Sequence, residues 1–323
     1  MKNVSDLKVV AIGGGTGLST MLKGIKLFTS NINAIVTVAD DGGSTGMLRE
    51  DLDMPAPGDI RNCIVALANT EDILKNLFRY RFKCGNLKGH SFGNLFLAAM
   101  TEVTGDFESA IEHMSSVLAV RGHVLPVTKE NVDIKAVLKN GNRVFGESNI
   151  PKVCIEENTG IEKILAEPAD VEPFSRCIDA IYDADVVLLG PGSLYTSIIP
   201  NLIINGITEA LLNTKAKKIY ICNVMTQPGE TDGYSAFDHV EAILNHSNKS
   251  LIDICIANTG TVCDEIYSRY LNQNSKLIEL DCEKFKKAGI ELITDNLIYI
   301  DENEKVRHDY IRLAEIITQR ALQ

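Results

Sequence analysis

The chain lacks the long apolar segment that a membrane-spanning helix requires. Among its 323 residues, Gly, Pro or a charged residue interrupts every apolar run before it reaches the roughly 18 residues that indicate a spanning segment. Residues 1–6 contain no apolar core and no small-residue cleavage site, so we expect no signal peptide. These absences predict a cytoplasmic protein with no membrane insertion.

Positive charge is also scarce in this sequence. The 32 Lys and Arg residues are outnumbered by 43 Asp and Glu residues, which gives a formal net charge of -11. Long-range electrostatics therefore disfavour nucleic acid as a partner. A small anionic ligand is still compatible with this composition, because a few backbone N–H groups and one Arg can outweigh the mean field locally.

What the sequence does contain is a regular alternation of strands and helical segments. Five short β-branched runs are separated by helix-length stretches, and they occupy residues 8–12, 34–39, 185–189, 218–224 and 251–257. Continuous apolar strands of this kind indicate a parallel sheet that is covered on both faces. The sequence therefore predicts an α/β fold of the doubly wound, Rossmann-like class, with a mainly parallel sheet and helices on both faces.

Two further segments complete this predicted organisation. Residues 60–120 have a long helical pattern. In residues 132–147, apolar and polar residues alternate on either side of Asn140-Gly141, which is a strong hairpin signal. No repeat or flexible linker marks a boundary between domains. We therefore predict one domain over residues 1–323, with a β-hairpin insertion at about residues 130–150.

A glycine-rich turn follows the first predicted strand and precedes a helical pattern. The candidate ligand-binding residues of this turn are Gly13, Gly14, Gly15, Thr16 and Gly17. Close backbone approach and the N–H groups of a helix N-terminus would suit a phosphate. Neither the full G-x-G-x-x-G pattern nor the Walker pattern is present, which argues against a standard NAD site or P-loop.

The second predicted strand ends in an acidic pair, Asp40-Asp41, and Ser44 lies in the glycine-rich loop that follows. Two roles are open for the pair. The carboxylates could bind the ribose hydroxyls of a nucleotide, or they could hold a divalent cation such as Mg²⁺ between phosphate oxygens. Two glycine-rich loops on neighbouring strands are expected to converge on one crevice.

Later segments contribute the other candidates. Asp59 is predicted to be a helix N-cap with Asn62 in the first turn, and Ser91 and Asn94 are predicted to lie near another helix start. His90 is considered as a proton-transfer group. The turn after the third strand and the polar loop after the fourth add the candidates Gly190, Gly192, Ser193, Asn223 and Thr226.

Seven segments together carry a family resemblance: GGGTGLS, TVADDGGSTG, PAPGDIRN, GHSFGN, VLPVT, GPGSLYTS and CNVMTQPGETDGY. In this order they resemble the bacterial YvcK-type gluconeogenesis factor family, in the superfamily of 2-phospho-L-lactate transferase. The resemblance covers nearly the whole chain. It implies a cytoplasmic regulator that is required for cell shape and for growth on gluconeogenic carbon sources, and that binds nucleotide sugars such as UDP-N-acetylglucosamine.

The resemblance also implies that Tyr270 and Arg307 contact the UDP-sugar, because Tyr can stack on a base or sugar and Arg can bind a diphosphate bidentately. It further implies a partner protein that regulates cell-wall synthesis, and it leaves a homo-oligomer open. Two other functions are considered. One is a Mg²⁺-dependent transferase in which Asp40 and Asp41 hold the metal and Asp59 assists. The other is a nicotinamide-dependent oxidoreductase, and the missing G-x-G-x-x-G pattern argues against it.

Overall fold

The computed structural model describes residues 3–322, and its centre is a seven-stranded sheet. Its strands are β1 Val9–Gly13, β2 Ile32–Val36, β3 His123–Pro126, β7 Val186–Leu189, β8 Lys217–Ile221, β9 Ile254–Asn258 and β10 Glu291–Asp295. All neighbouring strands are parallel, in the order β10-β9-β8-β7-β1-β2-β3.

The five strands predicted from apolar runs are all present, and they form the interior of the sheet. Every residue of β1 and β7 is buried, as expected for strands that are covered on both faces. Strand β8 ends at Ile221, three residues earlier than predicted. The N–H of Cys222 still donates to the carbonyl of Ile256, and after this bond the chain leaves the sheet to form a loop.

Helices flank the sheet on both faces, which confirms the predicted fold class. They are α1 Gly15–Ile25, α2 Gly43–Leu52, α3 Pro57–Leu67, α4 Asp72–Arg79, α5 Phe92–Thr104, α6 Phe107–Val117, α7 Ile150–Glu156, α8 Ser175–Asp183, α9 Ile199–Leu202, α10 Ile207–Asn213, α11 Ala236–His246, α12 Asp264–Leu271, α13 Cys282–Ala288 and α14 Tyr310–Ala321. A π-helical turn, Leu194–Ile198, precedes α9. No helix within residues 3–322 combines the length and the apolar character needed to cross a membrane.

The predicted helical stretch over residues 60–120 consists of the four helices α3 to α6. The prediction that Asp59 caps a helix is wrong. Helix α3 begins two residues earlier, at Pro57, whose fixed φ angle suits the first helical position, and the N-cap is Ala56. Asp59 therefore lies in the first turn, where its side chain is directed to another element of the fold.

A small antiparallel sheet contains the predicted hairpin. It comprises β4 Asp133–Leu138, β5 Arg143–Phe145 and β6 Ile161–Glu167, in the order β5-β4-β6. Gly141 has a φ angle of 90° in the tight turn, which explains the strength of the Asn-Gly signal. Strand β6 was not predicted. The boundaries of a single domain over residues 1–323 remain a prediction.

The order of the strands creates a crevice at the centre of the sheet. From β1 the chain proceeds outward through β2 to β3, whereas β7 to β10 proceed outward on the other side. Strands β1 and β7 are neighbours, so the chains that leave their carboxyl ends diverge. In an open α/β sheet this switch point is where ligands bind. A two-stranded ribbon, β11 Ile298–Ile300 and β12 Val306–His308, also precedes α14.

Candidate functional site

A cavity of about 410 Å³, here called the first cavity, lies at this switch point. It is lined by the turns after β1 and β7, the loop after β8, helix α12 and strand β12. Nine of the residues predicted from sequence share this lining: Gly15, Thr16, Gly17, Gly192, Ser193, Asn223, Thr226, Tyr270 and Arg307. The fold thus brings together residues that are almost 300 positions apart in the chain.

The turns after β1 and β7 touch each other at their backbones. A Cβ atom on Gly17 would lie 2.6 Å from the carbonyl oxygen of Pro191, and one on Gly192 would lie 3.2 Å from the carbonyl oxygen of Gly14. The first distance is too short for any side chain, so Gly17 is required by contact between the turns. The wall of the first cavity between β1 and β7 is therefore formed by peptide groups.

Asn223 holds the turn after β7 in place. Its Oδ1 accepts the N–H of Gly192 at 3.3 Å, and its Nδ2 donates to the carbonyl of the same residue at 2.8 Å. The next residue of that turn is also held, because Gln227 Nε2 donates to Ser193 Oγ at 2.7 Å. The amide of Asn223, predicted as a ligand contact, is thus already engaged in shaping the cavity.

Thr226 and Tyr270 fix the opposite wall. The N–H and the Oγ1 of Thr226 both bond to the backbone of Lys276, at 2.8 and 2.9 Å. The hydroxyl of Tyr270 accepts the N–H of Val306 at 2.9 Å, which connects α12 to β12 and leaves the ring at the cavity surface. Both predicted residues therefore position the wall as well as line it.

Arg307 is half-buried between the cavity and the end of the ribbon. Its Nε donates to Asp301 Oδ2 at 3.3 Å. The next residue, His308, donates from Nε2 to the carbonyl of Cys222 at 3.0 Å, and burial lowers its pKa to about 4. His308 is therefore neutral at physiological pH and holds β12 against the loop after β8. Arg307 is the cation at this wall.

Asp59 reaches the N-terminus of α1. Its Oδ2 accepts the N–H of Gly15 at 2.6 Å. Burial, and secondarily the nearby charge of Asp40, raises the pKa of Asp59 to about 6. The first N–H of α1, which the sequence suggested for a phosphate, is therefore already bonded to a carboxylate.

The acidic pair after β2 points to two different elements. Asp40 Oδ1 accepts the N–H of Gly42 at 2.9 Å, whereas Asp41 Oδ1 accepts the N–H of Ser148 at 2.9 Å. Within residues 3–322, no three His, Cys, Asp or Glu side chains lie in a position to hold one metal ion. Mg²⁺ requires a nearly octahedral set of oxygen ligands. The side chains as placed do not fit such a site.

The candidates near α5 form a polar group outside the first cavity. Ser44 Oγ lies 3.2 Å from His90 Nδ1, and Ser91 Oγ accepts an N–H of Arg61 at 3.1 Å. Asn94 is buried in the first turn of α5, and its Oδ1 has no partner within the described residues. Ser91 is the N-cap residue of α5, in agreement with its predicted position near a helix start. Its hydroxyl accepts the hydrogen bond from Arg61 and makes no capping bond to the helix.

The remaining candidates have separate positions. Gly13, Gly14 and Gly190 form the backbone of the two turns without reaching the cavity surface, and Asn62 lines a neighbouring cavity. Sequence reasoning missed several polar residues of the first cavity: Thr20, Ser197, Gln227, Gln273 and Ser275. Ser197 and Gln227 lie in motifs that the sequence analysis quotes as a whole, whereas the other three follow ordinary helix and loop patterns.

Two carboxylates were also missed, the buried Glu230 and the partly buried Glu147. Burial raises the pKa of Glu230 to about 7, and its Oε1 accepts the hydroxyl of Thr196 at 3.5 Å. Burial of the Glu147 carboxylate and the charges of Asp40 and Asp59 raise its pKa well above its ordinary value. No local pattern marks Glu147 as a site residue. The acidic groups therefore gather on one side of the glycine turn after β1.

Comparison with known proteins assigns the chain to a family. The family model described as 2-phospho-L-lactate transferase CofD matches residues 9–298. A protein of Thermoanaerobacterium thermosulfurigenes is 55% identical over 320 residues, and the alignment covers 98% of each chain. The gluconeogenesis factor of Bacillus subtilis is 46% identical over 311 residues, with 96% of each chain covered.

A solved structure agrees with these sequence matches. The crystal structure of a member of the UPF0052 family from Bacillus halodurans is 44% identical to this chain, with a TM-score of 0.92. The superposition covers 98% of this chain and 99% of that one. Sequence and fold therefore agree over nearly the full length, and the chain belongs to the CofD family, among its relatives named gluconeogenesis factors.

Proposed function

We propose that this protein is a regulator that binds a nucleotide sugar of the UDP-N-acetylglucosamine type in the first cavity. The observation that carries the proposal is the placement of Tyr270 and Arg307, which line the same cavity as both glycine turns. The name gluconeogenesis factor, which a relative of this chain carries, supports a role in growth on gluconeogenic carbon sources. We further propose that the protein is cytoplasmic and acts in cell shape through a partner protein that regulates cell-wall synthesis.

The first cavity has the size and chemistry that this ligand needs. A volume of about 410 Å³ lies within the range of small-molecule sites, roughly 300 to 1,000 Å³. In our proposal the diphosphate lies against the backbone of the two turns and is bound by Arg307. The ring of Tyr270 offers a stacking surface for the base or the sugar. The loop after β8 supplies hydroxyl and amide groups for the remaining polar atoms.

The same lining favours binding over proton transfer. His308 is neutral and its Nε2–H is bonded to a carbonyl, whereas the hydroxyl of Tyr270 is bonded to the backbone of β12. The Nε–H of Arg307 is bonded to Asp301. Among the described residues of this lining, the groups that could exchange protons are thus engaged in structure. This arrangement supports a sensor of the ligand.

We expect the substitution Arg307→Ala to weaken binding of UDP-N-acetylglucosamine by about ten- to a hundredfold, because a charge-assisted contact contributes roughly 1.5 to 3 kcal/mol. Titration calorimetry on the full chain measures this change. Arg269→Ala is the matched control, because Arg269 is ion-paired to Glu304 on the surface and does not line the cavity. Wild-type affinity in a folded Arg307→Ala variant would contradict the proposal.

Two substitutions at Tyr270 distinguish the contribution of ring stacking from that of the hydroxyl hydrogen bond. Tyr270→Phe keeps the ring and loses the bond to Val306, whereas Tyr270→Ala loses both. Stacking on an aromatic ring contributes roughly 1 to 3 kcal/mol per base, so we expect the Ala variant to bind at least about fivefold more weakly and the Phe variant to stay close to wild type. The same titrations decide it. Equal losses in both variants would show that the hydroxyl, not the ring, matters.

The family description favours a second candidate, a transferase of the 2-phospho-L-lactate transferase type. Because Asp40 and Asp41 diverge, we expect the affinity for UDP-N-acetylglucosamine to be the same with Mg²⁺ as with EDTA. Calorimetric titration under both conditions, on wild type and on Asp40→Asn, tests this. An affinity that rises with Mg²⁺ in wild type and not in the variant would support the transferase candidate instead.

Asp59 should destabilise the folded protein above pH 6. The pKa of Asp59 is about 6 in the folded protein against an ordinary value of 3.8, so the favourable contribution present below pH 3.8 is lost as the pH rises through 6. We expect Asp59→Asn to raise the free energy of unfolding at pH 8 by about 1 to 3 kcal/mol, and the difference to vanish toward pH 4. Urea denaturation at several pH values measures it. The exposed Asp170→Asn change is the control, and a pH-independent difference would refute the assignment.

A further inference from the structure

A second cavity of about 300 Å³ adjoins the first. Thr16, Thr20 and Arg307 line both cavities, so one face of α1 and the strand β12 form a common wall. Of the residues predicted for ligand binding, Asn62 lies only in this second cavity. Lys23 and Arg79, which also line the second cavity, have no part in the proposed function.

Three cationic side chains from separate elements line the second cavity. Lys23 is half-buried on α1, Arg79 is the last residue of α4, and Arg307 belongs to β12. Within the described chain, neither Lys23 nor Arg79 has a hydrogen bond or an ion pair from its side chain. Among residues 3–322, the one carboxylate on the lining is that of Asp301, and it already bonds to Arg307. The cavity therefore has excess positive charge.

A neighbouring lysine shows what a structural cation looks like in this region. Lys26, the C-cap residue of α1, donates to the carbonyls of Ala66 and Ala68 at 2.7 and 2.8 Å, where α3 ends. Lys23 has no such acceptor. Burial and the positive charges of Arg79 and Arg307 lower the pKa of Lys23, and burial with other cations lowers that of Lys26 to about 8. The difference between the two lysines is therefore the missing acceptor at Lys23.

We propose that the second cavity binds a phosphoryl group through Lys23, Arg79 and Arg307. Two unpaired cations beside a third repel one another, and an anion with several acceptor oxygens relieves this repulsion while accepting their N–H groups. The phosphoryl group belongs either to a ligand that extends from the first cavity or to a separate phosphorylated metabolite. The inference does not require a nucleotide sugar in the first cavity, so the two proposals can fail independently.

The test uses inorganic phosphate as the probe and calorimetry on the full chain. The double variant Lys23→Gln/Arg79→Gln should bind phosphate at least about tenfold more weakly than wild type, because two charge-assisted contacts are lost. Lys83→Gln/Lys88→Gln is the matched control, since it removes two exposed positive charges that line neither cavity. Arg79→Gln alone changes an exposed residue, so it tests the site even if the double variant does not fold.

Three results would overturn the proposal: no phosphate binding by wild type at millimolar concentrations, equal affinity in wild type and in folded variants, or an equal loss in the control. A second titration with saturating UDP-N-acetylglucosamine distinguishes the sources of the phosphoryl group. Phosphate binding that persists and still depends on Lys23 and Arg79 supports a separate metabolite. Displacement of phosphate supports a group on the nucleotide ligand. Failure of the nucleotide sugar to bind would refute the proposed function and leave the phosphate result standing.

Discussion

The site depends on the close approach of two backbone turns at the carboxyl ends of β1 and β7. A Cβ atom on Gly17 would lie 2.6 Å from the carbonyl oxygen of Pro191, and one on Gly14 would lie 2.5 Å from Asp59 Oδ2. Side chains are excluded at these points, and the two turns meet through their peptide groups. The carboxylate of Asp59 already occupies the N-terminus of α1, so a positive charge must come from another element, and β12, late in the chain, supplies it with Arg307.

The part of the fold that the sequence predicts is the part with a local signal. Interior strands are apolar throughout because both of their faces are covered, and the Asn140-Gly141 turn fixes its own hairpin. The edge strands lack such a signal. In strand β10, exposed and partly buried residues do not alternate regularly, and the strand begins with the exposed Glu291. Strand β3 begins with the exposed His123 and ends in a proline. Their place in the sheet is decided by pairing with distant strands.

The site shows the same division between local motifs and distant contacts. The glycine turns were found because their composition restricts the backbone locally. The role of Asp59 could not be found in this way, because its carboxylate accepts the N–H of Gly15 at the start of α1, 44 positions earlier in the chain. It does not cap its own helix, α3. Lys23 and Arg79 were missed for a related reason. Each is one cation in an ordinary helical pattern, and only the packing of α1, α4 and β12 places them on one surface.

The electrostatics of the crevice follow from these placements. The positive end of the α1 dipole meets the carboxylate of Asp59, which is mostly ionised at neutral pH because its pKa is about 6. An anion at Gly15 would therefore be repelled by the nearest full charge. On the other side of the same helix, Arg307 and Lys23 offer attraction. A diphosphate that lies against the two turns should for this reason keep its charge away from Gly15 and close to Arg307, on the wall that the two cavities share.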